Sequence, residues 1–407
     1  MNTDSLPYAL DQRSPISDSG LRTSDLRPLV SICLPTLNAR RFLEQRMESI
    51  LTQTVTDWEL IVCDSYSDDG SWEYLQQFKD DPRFRLYQVP REGLYAGWNE
   101  CLKRCRGEYV YIATADDTME PECLEKMVGS LQAAKTIDHR PQTTDLFLGT
   151  TKAQRHEGVS LQSCAQRSVD IAVCGFDVID EGGEVLANHS AGRWPRQFYG
   201  EWVHVPHLRD GRTVFLLHAA LGMIWWTMSA VVFRRSLLDK IGYFRTDRGS
   251  QADEEWEMRA ALASDIVYLP EKLGTWRVSE QQATAKLPSM NRVNLDCLES
   301  VLLDPDSGIP QEWKAIPGWS EKISHLCRTE YQASLGLFGN VARREPKHFL
   351  RGVGKALRYE PRYLVRQCLR RLKWDENMSP DPIAYSHELI ELFGTPWPPV
   401  RLGDWKH

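Results

Sequence analysis

A basic excess is the first thing this 407-residue chain lacks: 49 Lys and Arg stand against 56 Asp and Glu, a formal net charge of −7. No global positive field favours a polyanion, so nucleic acid is not expected as a partner. A C-x-x-C pair is also absent, although there are ten cysteines. Cys101 and Cys105 lie four apart and would share a helix face. They read as buried small hydrophobes, with a redox pair as the alternative. Met1 to Asp25 is polar and lacks the apolar segment of a secretory signal. The cysteines are therefore expected to be reduced and the protein cytoplasmic. There is no internal repeat.

Charge is missing locally as well. Val214 to Phe233 runs twenty residues without Asp, Glu, Lys or Arg. Its length would suffice for a bilayer span, but His218, Gly222, Trp225, Trp226, Thr227 and Ser229 make it only moderately apolar. It reads instead as a buried helix followed by a buried strand. Trp225 and Trp226 fit either a sugar-stacking surface or the core.

What is present is the material of a globular protein: 42% hydrophobic and 26% charged residues. The length fits one large domain and an appendage. Residues 1–28, rich in Ser, Asp and Pro, read as a disordered tail. Leu29 to Leu34 is a continuous apolar run, as expected of a strand buried on both faces. Arg41 to Gln53 has helical spacing. Trp58 to Cys63, Phe84 to Val89 and Glu108 to Ala113 are further strands, separated by helices over 71–79 and 94–105. This alternation predicts an α/β fold with a doubly wound, mainly parallel sheet. Residues 135–168 read as a mobile insertion and Asp170 to Val178 as a strand. Glu181 to Glu184 reads as a hairpin turn and 191–212 as a long loop. From Pro288 to the end the pattern is helical, so 29–288 and 289–407 are taken as catalytic domain and helical extension.

Such sheets bind ligands beyond the C-terminal ends of their strands, and the unusual polar residues lie there. Pro35-Thr36-Leu37-Asn38 follows the first strand, Asp64 to Gly70 the second, and Thr114 to Asp117 the fourth. Adjacent carboxylates such as Asp116 and Asp117 repel when desolvated together. A divalent cation shared with phosphate oxygens would offset them; a solvated turn is the alternative. Asp64 suits a base or ribose hydroxyl, and the Ser71 helix start suits an anion. Asp253-Glu254-Glu255 also suits the start of an exposed helix.

Taken in order, Val30 to Asn38, Trp58 to Asp64, Arg91 to Asn99 and Gly107 to Asp117 resemble the family 2 glycosyltransferases of GT-A fold. The likeness returns at Val232 to Phe244, Asp253 to Arg259 and Leu273 to Arg277. It implies an inverting enzyme that moves a sugar from a nucleotide-diphosphate donor, by family habit a UDP-sugar, to a hydroxyl of a glycan or lipid-linked acceptor. It implies donor contacts from Pro35, Thr36, Asn38, Asp64, Ser67, Arg91, Gly93, Asn99, Asp116 and Arg259. Asp116 and Asp117 would hold Mn²⁺ or Mg²⁺, and Asp253 would be the general base. Two positions depart from the pattern: Thr114 stands where an Asp is common, and Ser279 where a His is. A nucleotidyltransferase would carry a Gly-rich first loop, and Pro35 to Arg41 has no glycine. A non-catalytic sugar-binding relative stays open. Residues 341–373 carry eleven Lys or Arg against Glu345 and Glu360. They suit either peripheral contact with an anionic membrane or a solvated helical face.

Overall fold

The computed structural model describes residues 27–134, 167–186, 193–222, 227–279, 291–334 and 381–402, with the single positions 354 and 357. The N-terminal tail, the insertion after 134 and the Trp225-Trp226 pair lie outside those residues. So does the basic 341–373 segment, apart from the two single positions.

β1 (Val30–Thr36) and β2 (Trp58–Asp64) are buried along their whole length. Alternate side chains face opposite ways: Cys33, Ile61 and Cys63 join one hydrophobic core, and Ile32, Leu34, Leu60 and Val62 the other. Helices must then cover both faces, which the short intervening segments supply. They are α1 (Arg40–Leu51), α2 (Ser71–Leu75), α3 (Leu94–Leu102) and α4 (Cys123–Ala134), interleaved with β3 (Phe84–Gln88) and β4 (Tyr109–Ile112). α1 shows how: Phe42, Leu43, Arg46, Met47 and Ile50 recur at helical spacing and are its buried face.

The remaining strands are β5 (Val169–Ile179), β6 (His207–Arg209), β7 (Val231–Arg234), β8 (Asp265–Arg277) and β9 (Val400–Arg401). The sheet order is β3-β2-β1-β4-β7-β5-β8-β6-β9. The β3-β2-β1-β4 half is parallel throughout, as is the β5–β8 pair, while β7, β6 and β9 run antiparallel to their neighbours. The uncharged run is a core helix, α6 (Gly211–Leu221), whose start is capped by Asp210 accepting from the Thr213 N–H, followed by the buried strand β7. No helix among the described residues is long and apolar enough to cross a membrane.

Two expectations are corrected. Residues 191–212 are not a plain loop: they contain α5 (Arg193–Tyr199), a 3₁₀ turn (Gly200–His204) and β6. The cause is distant in sequence. Phe198 and Tyr199 pack on Trp397, with ring centroids 4.4 and 5.5 Å away, and Leu208 pairs with Val267 of β8. The C-terminal region is not helical throughout its described residues either. After α7 (Leu237–Ile241), α8 (Ala252–Ala263), α9 (Asn291–Leu303), α10 (Gln311–Lys314), α11 (Trp319–Ser334) and α12 (Pro382–Phe393) comes the strand β9. Pro396, Pro398 and Pro399 keep that last stretch extended. This segment shares the main core: Trp313 is buried against Phe215 of α6, and its indole N–H donates to Phe393 O at 3.1 Å.

Candidate active site

β1 and β2 are parallel and in register, Thr36 opposite Asp64, so both deliver their last residues to one edge. Asp64 is fully buried. Its carboxylate accepts from Thr36 Oγ1 at 2.9 Å, Ser67 N at 2.9 Å and Ser67 Oγ at 2.6 Å. Those donors are what make a buried carboxylate tolerable. Asn38 has φ of 50°, a left-handed conformation that Asn accepts better than most residues. Its N–H donates to Ser67 Oγ at 2.9 Å, and its amide exchanges bonds with Asp68 at 2.9 and 3.0 Å. The two loops are thus sewn together. Tyr66, exposed and also left-handed at φ 52°, is a bulky residue under backbone strain, of the kind that clusters at ligand clamps. Arg91 closes the third side: its Nε donates to Ser65 O at 2.8 Å and its Nη2 to Tyr66 O.

α3 carries the rest. It starts after Gly93, whose φ of 97° turns the chain into the helix. At Gly97 a Cβ would stand 2.9 Å from the Pro35 Cβ, so only glycine lets the helix lie against the first loop. At the next residue, the Trp98 indole N–H donates to Ala113 O at 3.0 Å, fixing the helix to the end of β4. Tyr95 hydrogen-bonds Asp253, which lies at the start of α8.

Beyond β4, the Asp116-Asp117 pair divides. Asp117 is buried, and its oxygens accept from Thr114 Oγ1 at 2.6 Å, Ser229 Oγ at 2.6 Å and Arg277 N at 2.7 Å. Burial, then the neighbouring Asp116 charge, pushes it up to about 6 against those hydrogen bonds. Asp116 is half-buried, and among the described residues no donor engages its carboxylate; the Arg277 Nε bonds its backbone O at 2.5 Å. Asp116 fits a hard cation completed by phosphate oxygens, which needs only one or two carboxylates. Asp117, already engaged, fits a scaffold. No group of three or more His, Cys, Asp or Glu that could hold a metal occurs among the described residues.

Asp253 is half-buried, and its Oδ1 accepts from the Glu254 N–H at 2.9 Å. Desolvation pushes its carboxyl up to about 6, partly opposed by the Glu254 N–H and the Tyr95 hydroxyl. A carboxylate ionised at neutral pH yet more basic than usual is suited to taking a proton.

The structure therefore brings Pro35, Thr36, Asn38, Asp64, Ser67, Arg91 and Gly93 together at one edge, and links Asp116 and Asp253 to them through α3. Asn99 and Arg259 are employed elsewhere. The Asn99 amide makes reciprocal bonds of 2.9 and 3.0 Å with the Phe244 backbone. Arg259 is buried in a two-pronged pair with Glu255, 2.8 Å on each prong, and also donates to Ile241 O and Tyr243 O. Both hold the 241–244 segment to its neighbours. Sequence reasoning missed Tyr95, Ser229 and Arg277, whose partners lie more than a hundred residues away. For Tyr95 the only signal was its place two residues after the helix-starting Gly93.

Residues 31–201 match the family model described as Glycosyl transferase family 2. That segment is a family 2 glycosyltransferase domain. The chain is 32% identical to the chondroitin synthase of Escherichia coli over 121 residues, covering 30% of this chain and 17% of that one. It thus spans under a fifth of the synthase's length. Against an uncharacterized protein of Mycobacterium tuberculosis it is 25% identical over 321 residues, covering 75% of this chain and 87% of the other. Among solved structures, S. aureus TarS 1-349 in complex with UDP-GlcNAc superposes with a TM-score of 0.52 at 13% identity, covering 80% of both chains. That likeness places the family 2 domain in the GT-A fold.

Proposed function

We propose that this chain is an inverting glycosyltransferase that moves a sugar from a UDP-sugar to a hydroxyl of a glycan or lipid-linked acceptor. One observation carries the reading: α3, with Arg91 just before it, ties the Asp64 loop, the end of β4 and Asp253 to a single sheet edge. Asp64, held by Thr36 and Ser67, accepts from the base or ribose, and the exposed Tyr66 ring offers a face to it. Arg91 and the Gly93 turn face the diphosphate. A divalent cation bound through Asp116 would stabilise charge on the departing diphosphate. Asp253 removes the acceptor proton as the acceptor oxygen bonds to the anomeric carbon and the sugar–phosphate bond breaks. Tyr95 holds the Asp253 carboxylate in place during that transfer. Any membrane contact through 341–373 belongs to the same proposal.

The test is a thermal-shift panel of UDP-, dTDP- and GDP-sugars with and without Mn²⁺, followed by donor-turnover assays. A donor at a hundred times its Kd stabilises the fold by about 2.7 kcal/mol. The expected result is a Mn²⁺-enhanced shift with a UDP-sugar and donor turnover lost in Asp253→Asn. No shift with any nucleotide sugar, or equal turnover by wild type and Asp253→Asn, would overturn it.

A further inference from the structure

Four thiols meet beneath the loops of the sheet edge. Cys33 is on β1, Cys63 on β2, Cys101 in α3, and Cys105 in the turn that follows α3. All four are free cysteines; the first three are buried and Cys105 is half-buried. Sequence spacing pairs Cys101 with Cys105, but the fold sets Cys105 against a residue 72 positions away, with the Cys33 and Cys105 Sγ atoms 3.3 Å apart. The Cys101 thiol donates to Ile61 O and the Cys105 thiol to Cys101 O, each at 3.5 Å.

We propose that Cys33 and Cys105 form a reversible dithiol–disulfide site, with hydroperoxides as the oxidant and Cys105 as the first sulfur to react. The Cys105 thiolate attacks the peroxide O–O bond, giving a sulfenic acid and releasing hydroxide or alkoxide, which picks up a proton. The Cys33 sulfur then attacks the sulfenic sulfur; the S–S bond forms, the S–O bond breaks, and water leaves with the Cys33 proton. In sum, two thiols and one hydroperoxide give a disulfide, an alcohol or water, and water. The order follows from access, since Cys105 alone of the four reaches solvent. Burial also pushes the Cys33 and Cys101 thiols up, keeping them protonated and slow to react first.

Bridging needs the sulfurs to close from 3.3 Å to about 2.05 Å. Cys33 sits in a central strand paired on both sides, so it does not move. Cys105 lies where the helix unwinds into single i→i+3 bonds, Arg104 N to Cys101 O and Cys105 N to Leu102 O, and can supply the displacement. The bridge would fasten the end of α3 to β1 two residues below Pro35. This inference uses thiol geometry alone and does not depend on the proposed transfer reaction.

The experiment treats the reduced full-length chain with hydrogen peroxide, blocks remaining thiols under denaturing conditions, and maps non-reduced peptides by mass spectrometry. The expected product is the Cys33–Cys105 peptide pair, lighter by two hydrogens and released by dithiothreitol. Cys105→Ser, on the solvent side, should fold and leave Cys33 fully alkylated; Cys33→Ala should leave Cys105 to advance to sulfinic acid. A wild-type bridge from Cys105 to Cys63 or Cys101, or a Cys105 sulfinate beside an alkylated Cys33, would overturn the proposal.

Discussion

Asp253→Asn should abolish transfer and make the protein more stable. Burial raises the Asp253 carboxyl from the ordinary carboxylate range to about 6, so ionising it in the folded protein costs about 3 kcal/mol. An uncharged isostere escapes that cost. The side chain is only half-buried, and an amide does not reproduce the Tyr95 and Glu254 bonds in full, so a net gain of about 1–2 kcal/mol is the realistic figure. For a fold of this size that is a Tm rise of roughly 1–3 °C. The sign carries a pH signature. A carboxyl with a raised folded-state pKa contributes stability below its unfolded value and loses it as pH rises through about 6. The advantage of Asp253→Asn should therefore be absent near pH 4 and fully developed by about pH 7. Asp117, also raised to about 6, titrates in both proteins and drops out of the difference. Paired differential scanning fluorimetry across that range, with a donor-turnover assay, reads both effects. A variant less stable than wild type at pH 8, or a gain unchanged down to pH 4, would refute the account of Asp253 as a carboxylate forced to ionise in a desolvated place.

Tyr95→Phe removes a donor that lowers the Asp253 pKa, so the acid limb of the kcat/KM profile should move to higher pH with donor KM unchanged; an unmoved limb would detach Tyr95 from the base. Asp116→Asn should erase the Mn²⁺ enhancement of the donor-induced thermal shift, whereas Asp117→Asn, at a carboxylate already engaged by Thr114, Ser229 and Arg277, should leave that enhancement in place. Asp64→Asn should weaken UDP binding in calorimetry at least about tenfold, the worth of one good polar contact. Gly97→Ala should cost about 1–2 kcal/mol, the clash with Pro35 at 2.9 Å outweighing the helix preference of alanine; unfolding curves that coincide with wild type would mean the loop yields instead.

The parallel half of the sheet was legible because fully buried strands read as mostly apolar runs, as in Val30 to Leu34, interrupted by Ser31, and Leu60 to Cys63. The loops at their ends were legible because polar clusters after such strands have few structural uses. Tyr95 and Asp253 were not legible as partners: 158 positions separate them, and local pattern carries no information about that contact. The helix Arg193–Tyr199 was hidden for a similar reason, since its Phe198 and Tyr199 rings, besides meeting each other, pack on the distant Trp397, and Phe198 on His387. Asn99 and Arg259 illustrate the reverse. Their place in the resemblance suggested ligand contacts, and the structure adds bonds from both to the backbone of 241–244 that local sequence could not show.

The pairing of β9 with β6, Val400 opposite Leu208, has a consequence for how the molecule is made. Thr213 donates to Pro396 O at 3.0 Å and Trp397 covers Phe198, so residues made about two hundred positions later complete the layer that β6 and α5 begin. Until they arrive, β6 presents an open hydrogen-bonding rim and α5 a bare aromatic surface, both of which invite misassembly. A fragment stopped short of residue 382 should therefore collect in inclusion bodies, even though every residue at the sheet edge would be present in it.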